Sequence, residues 1–426
     1  MMVFIRVFLL LSAITSVLLL GGNAWGRGDQ AKLQAEIMAE VQSINSSLHE
    51  MAVKTAIASQ KPAARTANLW PIMTARFALA DESKRPEVRH ELMWFLSHPQ
   101  TLHQILTNAI PYIYYVYQQT QQRHMPAEFA LMPMLESGYN PFAYSNAGAT
   151  GLWQMMPGTA SSFGLEINWW YDGRRDTVVS TQAALNYLCR LHGSFQNWIL
   201  ATAAYDAGMG AVRAAQQYNQ REGQSVNFWN LPLPQETRDY VPKLLALAII
   251  IKHAAYYHVK LPYIPARPYF FAVNMNSQID RAEAARLAGV SSSVIRQLNP
   301  AMRRWASDPD GVYTLLIPYE KREVFQRNLA ALIGKEHTTW QYHEVRSGET
   351  LQSIARIYHT NIALLMKANE LTTEKVSPEQ GLLVPLHLHR TYSAPVGEQP
   401  ATVASTQQQE EGLKQLLDKI YSSAPG

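Results

Sequence analysis

Residues 129–141 read FALMPMLESGYNP, an apolar run that ends in one acidic side chain and then in helix-stopping residues. The apolar run predicts a helix over residues 129–135, and Gly138 and Pro141 predict its end just after Glu136. A carboxyl group held against apolar side chains loses hydration, so its pKa rises. A raised pKa is what a general acid needs near neutral pH. The alternative from this stretch alone is a glutamate at a helix end in solvent.

The residues that follow favour a ligand site around Glu136. The segment AGATG at 147–151 is small and glycine-rich, which lets the backbone come close to a ligand. Aromatic side chains with polar edges come soon afterwards, and such side chains suit the apolar faces and hydroxyl rims of sugar rings. They are Trp153, Trp169, Trp170, Tyr171 and Trp198. Most of them are expected in the core, which is the alternative explanation for their number.

Ordered motifs around this stretch carry a resemblance to a known family. The first is ESGYNP at 136–141, with Ser145 downstream, and the second is GLWQ at 151–154. AYDAG at 204–208 and ETRDYV at 236–241 follow in order. Together they resemble the soluble-type lytic transglycosylases of glycoside hydrolase family 23. The segments YDGRRD at 171–176 and YVPK at 240–243 are similar to a membrane-bound group within that family.

The resemblance implies a mainly α chain with a lysozyme-like all-α catalytic domain over residues 90–260. It also implies cleavage of the β-1,4 bond between N-acetylmuramic acid and N-acetylglucosamine in peptidoglycan. Glu136 would protonate the leaving oxygen and then deprotonate the C6 hydroxyl, which attacks C1 and closes a 1,6-anhydro ring. An ordinary glycosidase uses two carboxylates, whereas here a nearby hydroxyl replaces water. The resemblance calls for no metal and no cofactor.

Further site residues follow from the same resemblance. Ser145 and Gln154 would hydrogen-bond the acetamido sugars near the cleaved bond, and Tyr205 and Tyr240 would position Glu136 or the sugar. Apart from the motifs, both tyrosines could equally be core residues. Asp206 stands where the family usually has asparagine. A carboxylate there would raise the pKa of Glu136 by like-charge repulsion, and it leaves open a route with two carboxylates.

Two alternatives therefore stay open beside the transglycosylase. One is a hydrolase of goose-type lysozyme character, which Asp206 would support. The other is a non-catalytic scaffold that binds peptidoglycan, against which the intact Glu136, Gln154 and Tyr240 argue. The other acidic residues nearby, Asp172, Asp176 and Asp239, are expected to cap helices or to pair with arginines.

Two small units follow, each with the order strand, helix, helix, strand. Residues 342–386 resemble a LysM module, with Thr350 also a candidate helix cap. The residues expected to bind glycan there are Gly348, Glu349, Thr350, Leu351 and Asn369. Residues 268–318 repeat the order, and Asn299 parallels Asn369. Because they lack the GETL stretch, they are interpreted as a degenerate LysM-like module that binds sugar far more weakly.

Helices are predicted between these landmarks from apolar spacing. Their ranges are 86–97, 102–121, 180–195, 199–207, 209–218 and 235–257. Tyrosines 112, 114, 115 and 117 are expected to pack rather than to react.

Composition narrows the class of partner. The 426 residues are 47% apolar and 16% charged, with a net charge of +4. A weak basic excess suits an anionic polymer such as a cell wall, but it is too small to indicate nucleic acid. The expected partner is the peptidoglycan glycan strand. The single cysteine, Cys189, excludes an internal disulfide and is expected to be buried.

The two ends of the chain are expected to lie outside the catalytic fold. Residues 1–24 predict a cleaved signal peptide, because the apolar segment 7–20 is shorter than the roughly twenty residues of a membrane span. No cysteine lies near the cleavage site, so a periplasmic protein without a lipid anchor is expected. Residues 25–89 predict an N-terminal helical segment and linker. Residues 387–426, rich in Ser, Pro, Gln and Thr at their start, predict a flexible tail.

Overall fold

A computed structural model describes residues 67–310 and 313–391, and within these it leaves out the side chains of residues 336–338 and 387–391. The predicted signal peptide, most of the N-terminal segment and residues 392–426 lie outside the described residues.

The first part of the described chain is helical. Its α-helices are α1 (Leu69–Thr74), α2 (Pro86–Ser97), α3 (Pro99–Asn108), α4 (Ile113–Gln122), α5 (Met132–Glu136), α6 (Pro157–Ser162), α7 (Thr177–Phe195), α8 (Trp198–Ala207), α9 (Met209–Arg221) and α10 (Gln235–Lys252). Two 3-10 helices, Ala127–Leu131 and Phe228–Asn230, interrupt the series.

Helix α10 is the centre of this part. It packs against α1, α2 and α8 and against the 3-10 turn that leads into α5. Val241, Leu244 and Leu247 on this helix are fully buried. A helix that is apolar on several sides is expected in the middle of a bundle. Because α1 belongs to the same core, the helical domain begins before the predicted residue 90.

Most predicted helices are found, and prolines explain two of the differences. The predicted helix over 102–121 is two helices, α3 and α4, separated at Pro111, which has no backbone N–H to donate. The predicted helix over 129–135 is a 3-10 turn followed by α5, with Pro133 in the first turn of α5. Helix α10 ends at Lys252, five residues before the predicted end, and turns follow it. The four tyrosines of α4 and its cap are buried, as expected.

The LysM-like unit follows the helical domain. Its elements are β1 (Phe270–Met275), α11 (Arg281–Ala288), α12 (Ser292–Leu298) and β2 (Tyr313–Pro318). The strands pair antiparallel from Phe270↔Pro318 to Met275↔Tyr313. After a 3-10 turn, helix α13 (Arg322–Ala330) places Phe325 and Leu329 in the same core. The unit therefore extends beyond residue 318, because this core includes α13.

The LysM unit comes last. It consists of β3 (Glu336–Glu344), α14 (Leu351–Ile357), α15 (Ile362–Ala368) and β4 (Gly381–Thr391). Strand β4 pairs antiparallel with β3 out to Glu336↔Thr391. Residues 387–391, predicted as the start of a tail, are therefore strand, since the β3 ladder continues beyond residue 386. In the described residues, no helix is long and apolar enough to cross a membrane.

The two units are an internal repeat at the level of single hydrogen bonds. Their first helices are capped by Asp280 and Thr350, which lie 70 residues apart. Asn299 donates to the carbonyls of Ile295 and Leu316 and accepts from the Leu316 N–H at 2.8 Å. Asn369, again 70 residues later, makes the same three bonds to the carbonyls of Leu365 and Leu383 and the Leu383 N–H. The parallel between the two asparagines is confirmed.

Candidate active site

Glu136 is the last residue of α5, and a tight turn follows it. The N–H groups of Ser137 and Tyr139 both donate to the carbonyl of Pro133, at 3.2 and 2.9 Å. Gly138 and Tyr139 have φ of +59° and +57°. This left-handed pair ends the helix, and glycine reaches that region without the penalty of a Cβ. The predicted helix end at Glu136 is confirmed.

The Glu136 carboxyl is half-buried and has one close donor. The Tyr240 hydroxyl, from α10, donates to its Oε1 atom. Burial raises the pKa of Glu136 to about 8, and the charges of Asp206 and Glu236 add to the rise, while the hydrogen bond from Tyr240 opposes it. A carboxyl with this pKa is largely protonated at neutral pH, which is the state of a general acid.

Two hydroxyl groups tie the GLWQ turn to the elements around Glu136. The Ser137 Oγ donates to the carbonyl of Leu152 at 2.9 Å. The Tyr205 hydroxyl, from α8, donates to the carbonyl of Trp153 at 2.9 Å. Since Ser137 adjoins Glu136, the turn that carries Gln154 is fixed relative to the Glu136 carboxyl. The role of Ser137 was missed from sequence, although it lies inside the first motif.

Gln154 and Ser145 sit on one loop, and each keeps polar capacity for a ligand. Gln154 has φ of +44°, and its Nε2 donates to the carbonyl of Gly151 at 2.9 Å. The Ser145 Oγ accepts from the N–H of Ala149 at 2.9 Å, so its own hydrogen remains to be donated. Neither side chain hydrogen-bonds Glu136 directly within the described part of the chain.

Gly151 is required by the protein's own backbone. Its φ is +84°, and a Cβ atom there would lie 2.1 Å from the carbonyl oxygen of Arg174. Arg174 also donates to the carbonyl of Gly148 at 2.8 Å. The expectation that this glycine-rich segment approaches a ligand is therefore corrected at Gly151, where the close approach is to residue 174.

The acidic residues next to this loop are structural. Asp172 and Arg174 form a buried ion pair through two hydrogen bonds of 2.9 and 2.8 Å. Asp176 caps α7 by accepting from the N–H groups of Val178 and Val179. Asp239 accepts from Gln235 on its own helix rather than pairing with an arginine. The pairing and capping predictions are confirmed for the first two.

Asp206 lies half-buried near the end of α8, close enough to influence Glu136. Burial raises the pKa of Asp206, the Thr237 hydroxyl lowers it by donating a hydrogen bond, and the charges of Glu236 and Lys243 act in opposite directions. As expected, the charge of Asp206 raises the pKa of Glu136 by like-charge repulsion. Thr237 and Glu236 were missed as contributors, though both lie in the fourth motif.

The aromatic residues are mainly core, as expected. Trp153 is fully buried, and its indole N–H donates to Thr181 Oγ1 at 2.9 Å. Trp170 is buried, and Trp198 packs on Phe129 and His192. Trp169 is the exception, because it lies against the LysM unit.

The candidate glycan-binding residues of the LysM unit are largely used by its own fold. Thr350 caps α14 in a capping box with Ser353, as predicted, and Leu351 is in the core. The Glu349 carboxylate accepts from the Arg346 N–H at 2.8 Å and contacts His343 Nε2 at 3.0 Å. Asn369 is committed to its three internal hydrogen bonds. Gly348 has φ of +86°. These contacts leave the exposed main chain of the turn and the hydroxyl hydrogen of Thr350 for any sugar binding there.

Comparisons with known proteins agree with this arrangement. Residues 114–228 match the transglycosylase SLT domain. Residues 269–333 match the LysM-like domain of lytic transglycosylase MltD, and residues 343–385 match the LysM domain.

Relatives and solved structures are similar over different shares of the chain. The membrane-bound lytic murein transglycosylase D of Escherichia coli K12 is 33% identical over 87% of this chain and 83% of its own. The soluble lytic murein transglycosylase of the same strain is 32% identical over 30% of this chain and 21% of its own. A crystal structure of an inactive mutant of lytic transglycosylase Slt from Pseudomonas aeruginosa aligns with 27% identity over 36% of this chain and 25% of its own, with a TM-score of 0.27.

The three family matches follow the three parts of the structure. The first falls in the helical domain, the second in the LysM-like unit and the third in the LysM unit. With one third of its residues identical over most of both chains, the chain belongs to the family of the membrane-bound lytic murein transglycosylase D, and it is a lytic transglycosylase that acts on peptidoglycan.

Proposed function

We propose that Glu136 carries out both proton transfers of the reaction. In its acid form it gives its proton to the glycosidic oxygen, and the bond from that oxygen to C1 of N-acetylmuramic acid breaks. The resulting carboxylate then takes the proton of the C6 hydroxyl as that oxygen bonds to C1. The 1,6-anhydro ring closes, the N-acetylglucosamine side leaves with a new hydroxyl, and Glu136 is again protonated. No water is consumed.

The observation that carries this proposal is the state of the Glu136 carboxyl. Burial holds its pKa at about 8, and Tyr240 alone donates to it among the described residues. The first step needs the proton in place, and the second needs a carboxylate whose basicity is close to neutral. One group can serve both steps only if its pKa lies near the working pH.

Ser145 and Gln154 are proposed to bind the acetamido groups of the sugars. Both lie on the loop that Ser137 and Tyr205 fix next to Glu136. Tyr205 is thereby a positioning residue for the loop, and Tyr240 is one for the acid. The proposed reaction calls for no metal and no cofactor.

A hydrolytic route is the second candidate, and Asp206 is the observation that favours it. An inverting hydrolase needs its base across the sugar from the acid, about 6.5–9.5 Å away with room for water. Asp206 is instead tied to Thr237 and lies on the helix that also carries Tyr205. We therefore place Asp206 beside the acid as an acceptor in place of the family asparagine.

Mass analysis of the products from purified peptidoglycan tests the choice. The proposal predicts muropeptides that end in 1,6-anhydro-N-acetylmuramic acid. Products heavier by one water, with a reducing end, would establish the hydrolase instead. A wild type that binds peptidoglycan and releases neither product would support the scaffold.

We further propose that the LysM unit binds glycan strands, as predicted for residues 342–386, and that the enzyme works in the cell envelope. The support is the match to the LysM domain and the exposed turn around Gly348. Full-length enzyme should sediment with insoluble peptidoglycan even when Glu136 is replaced by glutamine. If a ligand that occupies only the site around Glu136 abolished cosedimentation, binding would depend on the catalytic domain, and the LysM unit would not bind peptidoglycan by itself.

A further inference from the structure

The turn before the first helix differs between the two LysM-type units. In the LysM unit this turn is SGET at 347–350, and Gly348 there is exposed. Counting back 70 residues from Gly348, by the offset of the helix caps, leads to Gln278 in the LysM-like unit. Gln278 is only 4% exposed. A position that is open in one unit is therefore closed in the other.

The Gln278 side chain is buried because it hydrogen-bonds the LysM unit. Its Nε2 donates to the carbonyl of Trp340 at 2.8 Å, and its Oε1 accepts from the Trp340 N–H at 2.6 Å. A further bond of 2.8 Å runs from Nε2 to the carbonyl of Ser307. The side-chain amide thus pairs with both polar groups of one residue on β3. Both N–H groups of the amide are therefore donated within the protein, and the oxygen, which accepts one bond, lies in a side chain that is only 4% exposed.

A second set of contacts joins the LysM unit to the catalytic domain through Trp169. The Trp169 ring lies 4.7 Å from the Tyr342 ring, and the Arg304 guanidinium stacks on it at 3.9 Å. Gly381 at the start of β4 lies flush against the same indole, since a Cβ atom there would be 2.5 Å from Trp169 Nε1. Trp305 of the LysM-like unit adds a hydrogen bond of 2.6 Å to the carbonyl of Ala368.

The catalytic-domain segment that carries Trp169 is also bound by the LysM-like unit. The Asp172 N–H donates to the carbonyl of Ala301 at 3.0 Å, and the Arg303 N–H donates to the carbonyl of Trp170 at 2.9 Å. Backbone pairing of this kind leaves little freedom to rotate. The LysM-like unit therefore touches both neighbours, the catalytic domain through residues 301–304 and the LysM unit through Gln278 and Trp305.

We infer that the LysM-like unit is an intramolecular adaptor: its turn binds the main chain of Trp340 where the LysM unit keeps an open turn, and it holds the LysM unit in one orientation relative to Glu136. The glycan captured by the LysM unit is then presented to the cleft in a fixed direction rather than on a loose tether. The fixed orientation is inferred from the contacts of Gln278, Trp169 and Trp305. Its effect on the digestion of peptidoglycan rests on the proposed function.

The test measures the distance between the LysM unit and the catalytic domain in the full chain. Nitroxide labels on Gln217→Cys in α9 and Arg356→Cys in α14, both exposed positions, are placed in a Cys189→Ala background. Pulsed electron spin resonance should give one narrow distance distribution. A broad distribution in this otherwise wild-type protein would overturn the adaptor, with no interface variant needed.

Interface variants then test which contacts hold the orientation. Gln278→Ala combined with Trp169→Ala should broaden the distribution, whereas Trp94→Ala should not, because Trp94 is a half-exposed tryptophan that stacks on His98 in the catalytic domain. An unchanged narrow distribution in the double variant would overturn the role of these contacts. Trp169→Ala alone supplies a milder variant, and it should broaden the distribution less.

Activity separates the adaptor from the chemistry. The double variant should digest insoluble peptidoglycan several-fold more slowly but turn over short soluble glycans at the rate of the Trp94→Ala control. An equal loss on both substrates would show that Trp169 acts on the catalytic loop and would overturn the adaptor. A wild type that cleaves neither substrate would refute the proposed chemistry, and the distance measurement would still decide the adaptor.

Discussion

Glu136 in the helical domain and Glu349 in the LysM unit are motif glutamates in opposite environments. Burial raises the pKa of Glu136 to about 8, and the side chain has Tyr240 as its donor. A hydrogen bond from the Arg346 N–H, with further help from His343, lowers the pKa of Glu349. The first carboxyl is held ready to exchange a proton, and the second is held charged to fix a turn.

The same contrast extends to the amide side chains. Gln154 makes one local bond with its amide, to the carbonyl of Gly151, and its remaining polar groups are the ones proposed to bind substrate. Asn369 in the LysM unit and Gln278 in the LysM-like unit use theirs on main-chain groups of the protein. The amide groups of the two LysM-type units are used to hold the fold, whereas the amide of Gln154 keeps hydrogen-bonding groups that its own loop does not use.

Replacing Glu136 by glutamine should have the largest effect. The amide keeps the size of the side chain and its contact with Tyr240 but can neither give nor take the proton. General acid–base catalysis typically contributes about 10²–10⁴ in rate, and both steps depend on this group, so a loss of at least that size is expected. Release of anhydro-muropeptides measures it.

The control is Glu87→Gln, the same chemical change on the exposed first turn of α2. It should leave turnover unchanged, and both variants should keep the helical signal of the wild type. Activity of Glu136→Gln within a few-fold of the control would contradict the assignment of the acid.

The asparagine pair gives the next largest effect, on stability rather than on rate. Asn299→Ala and Asn369→Ala both remove the three bonds that the two residues share and leave a strand N–H without its partner, and Asn299→Ala also removes a bond of 3.4 Å from the Tyr313 hydroxyl. Each should destabilise its own unit by about 1–3 kcal/mol. Hydrogen exchange should accelerate locally, at residues 315–318 in the first variant and at 382–386 in the second.

The two asparagine variants would contradict the contrast between the catalytic domain and the LysM unit if Asn369 proved to bind glycan. In that case Asn369→Ala would lose peptidoglycan binding with normal exchange protection, while Asn299→Ala would lose only protection. The structural reading predicts parallel losses of protection in both units and unchanged turnover of soluble glycans.

Removing the Tyr240 hydroxyl should have a smaller effect. Tyr240→Phe leaves Glu136 without its donor, so the side chain is less well oriented and the carboxylate form is less stable. About a tenfold loss of kcat is expected from one hydrogen bond of this kind. The pKa of Glu136 should rise further, so the limb at which activity falls with increasing pH should move to higher pH. A shift to lower pH would show that Tyr240 does not stabilise the carboxylate.

Local sequence signals predicted most of the helices and strands of the described chain. Helix α2 and both strand–helix–helix–strand units follow from apolar spacing, caps and the repeat of Asn299 and Asn369. Differences arise where a proline inside a predicted helix divides it, as at Pro111 between α3 and α4. They also arise where tertiary packing extends a unit, as with α13, whose Phe325 joins the LysM-like core.

Partners distant in sequence account for what could not be predicted. Nothing local in the GATG segment shows that Gly151 must make room for Arg174, since the two backbones meet only in the fold. The bond from Ser137 to Leu152 and the pairing of Gln278 with Trp340 also join separate segments. The sequence supplied the candidate site residues, but it could not show which polar groups of those residues are used by the protein's own hydrogen bonds.

Asp206→Asn should have the smallest effect on the rate, and the products of the wild type and of this variant distinguish the two chemistries. The free enzyme must carry the proton on Glu136, so activity is lost as pH rises through the pKa of that group, about 8 in the wild type. The Asp206 charge raises that pKa, and the Glu236 charge does so less. Asparagine at 206 removes a like charge, which should lower the pKa of Glu136 and move the alkaline limb of the pH profile to lower pH by less than about one unit. Glu236→Gln should move it in the same direction by a smaller amount. The product should remain the 1,6-anhydro sugar throughout, because Asp206 acts on the acid through space and takes no proton from water. If instead the wild type released mainly reducing ends, and these vanished in Asp206→Asn, the second carboxylate would be a base and the cleft would be that of a hydrolase.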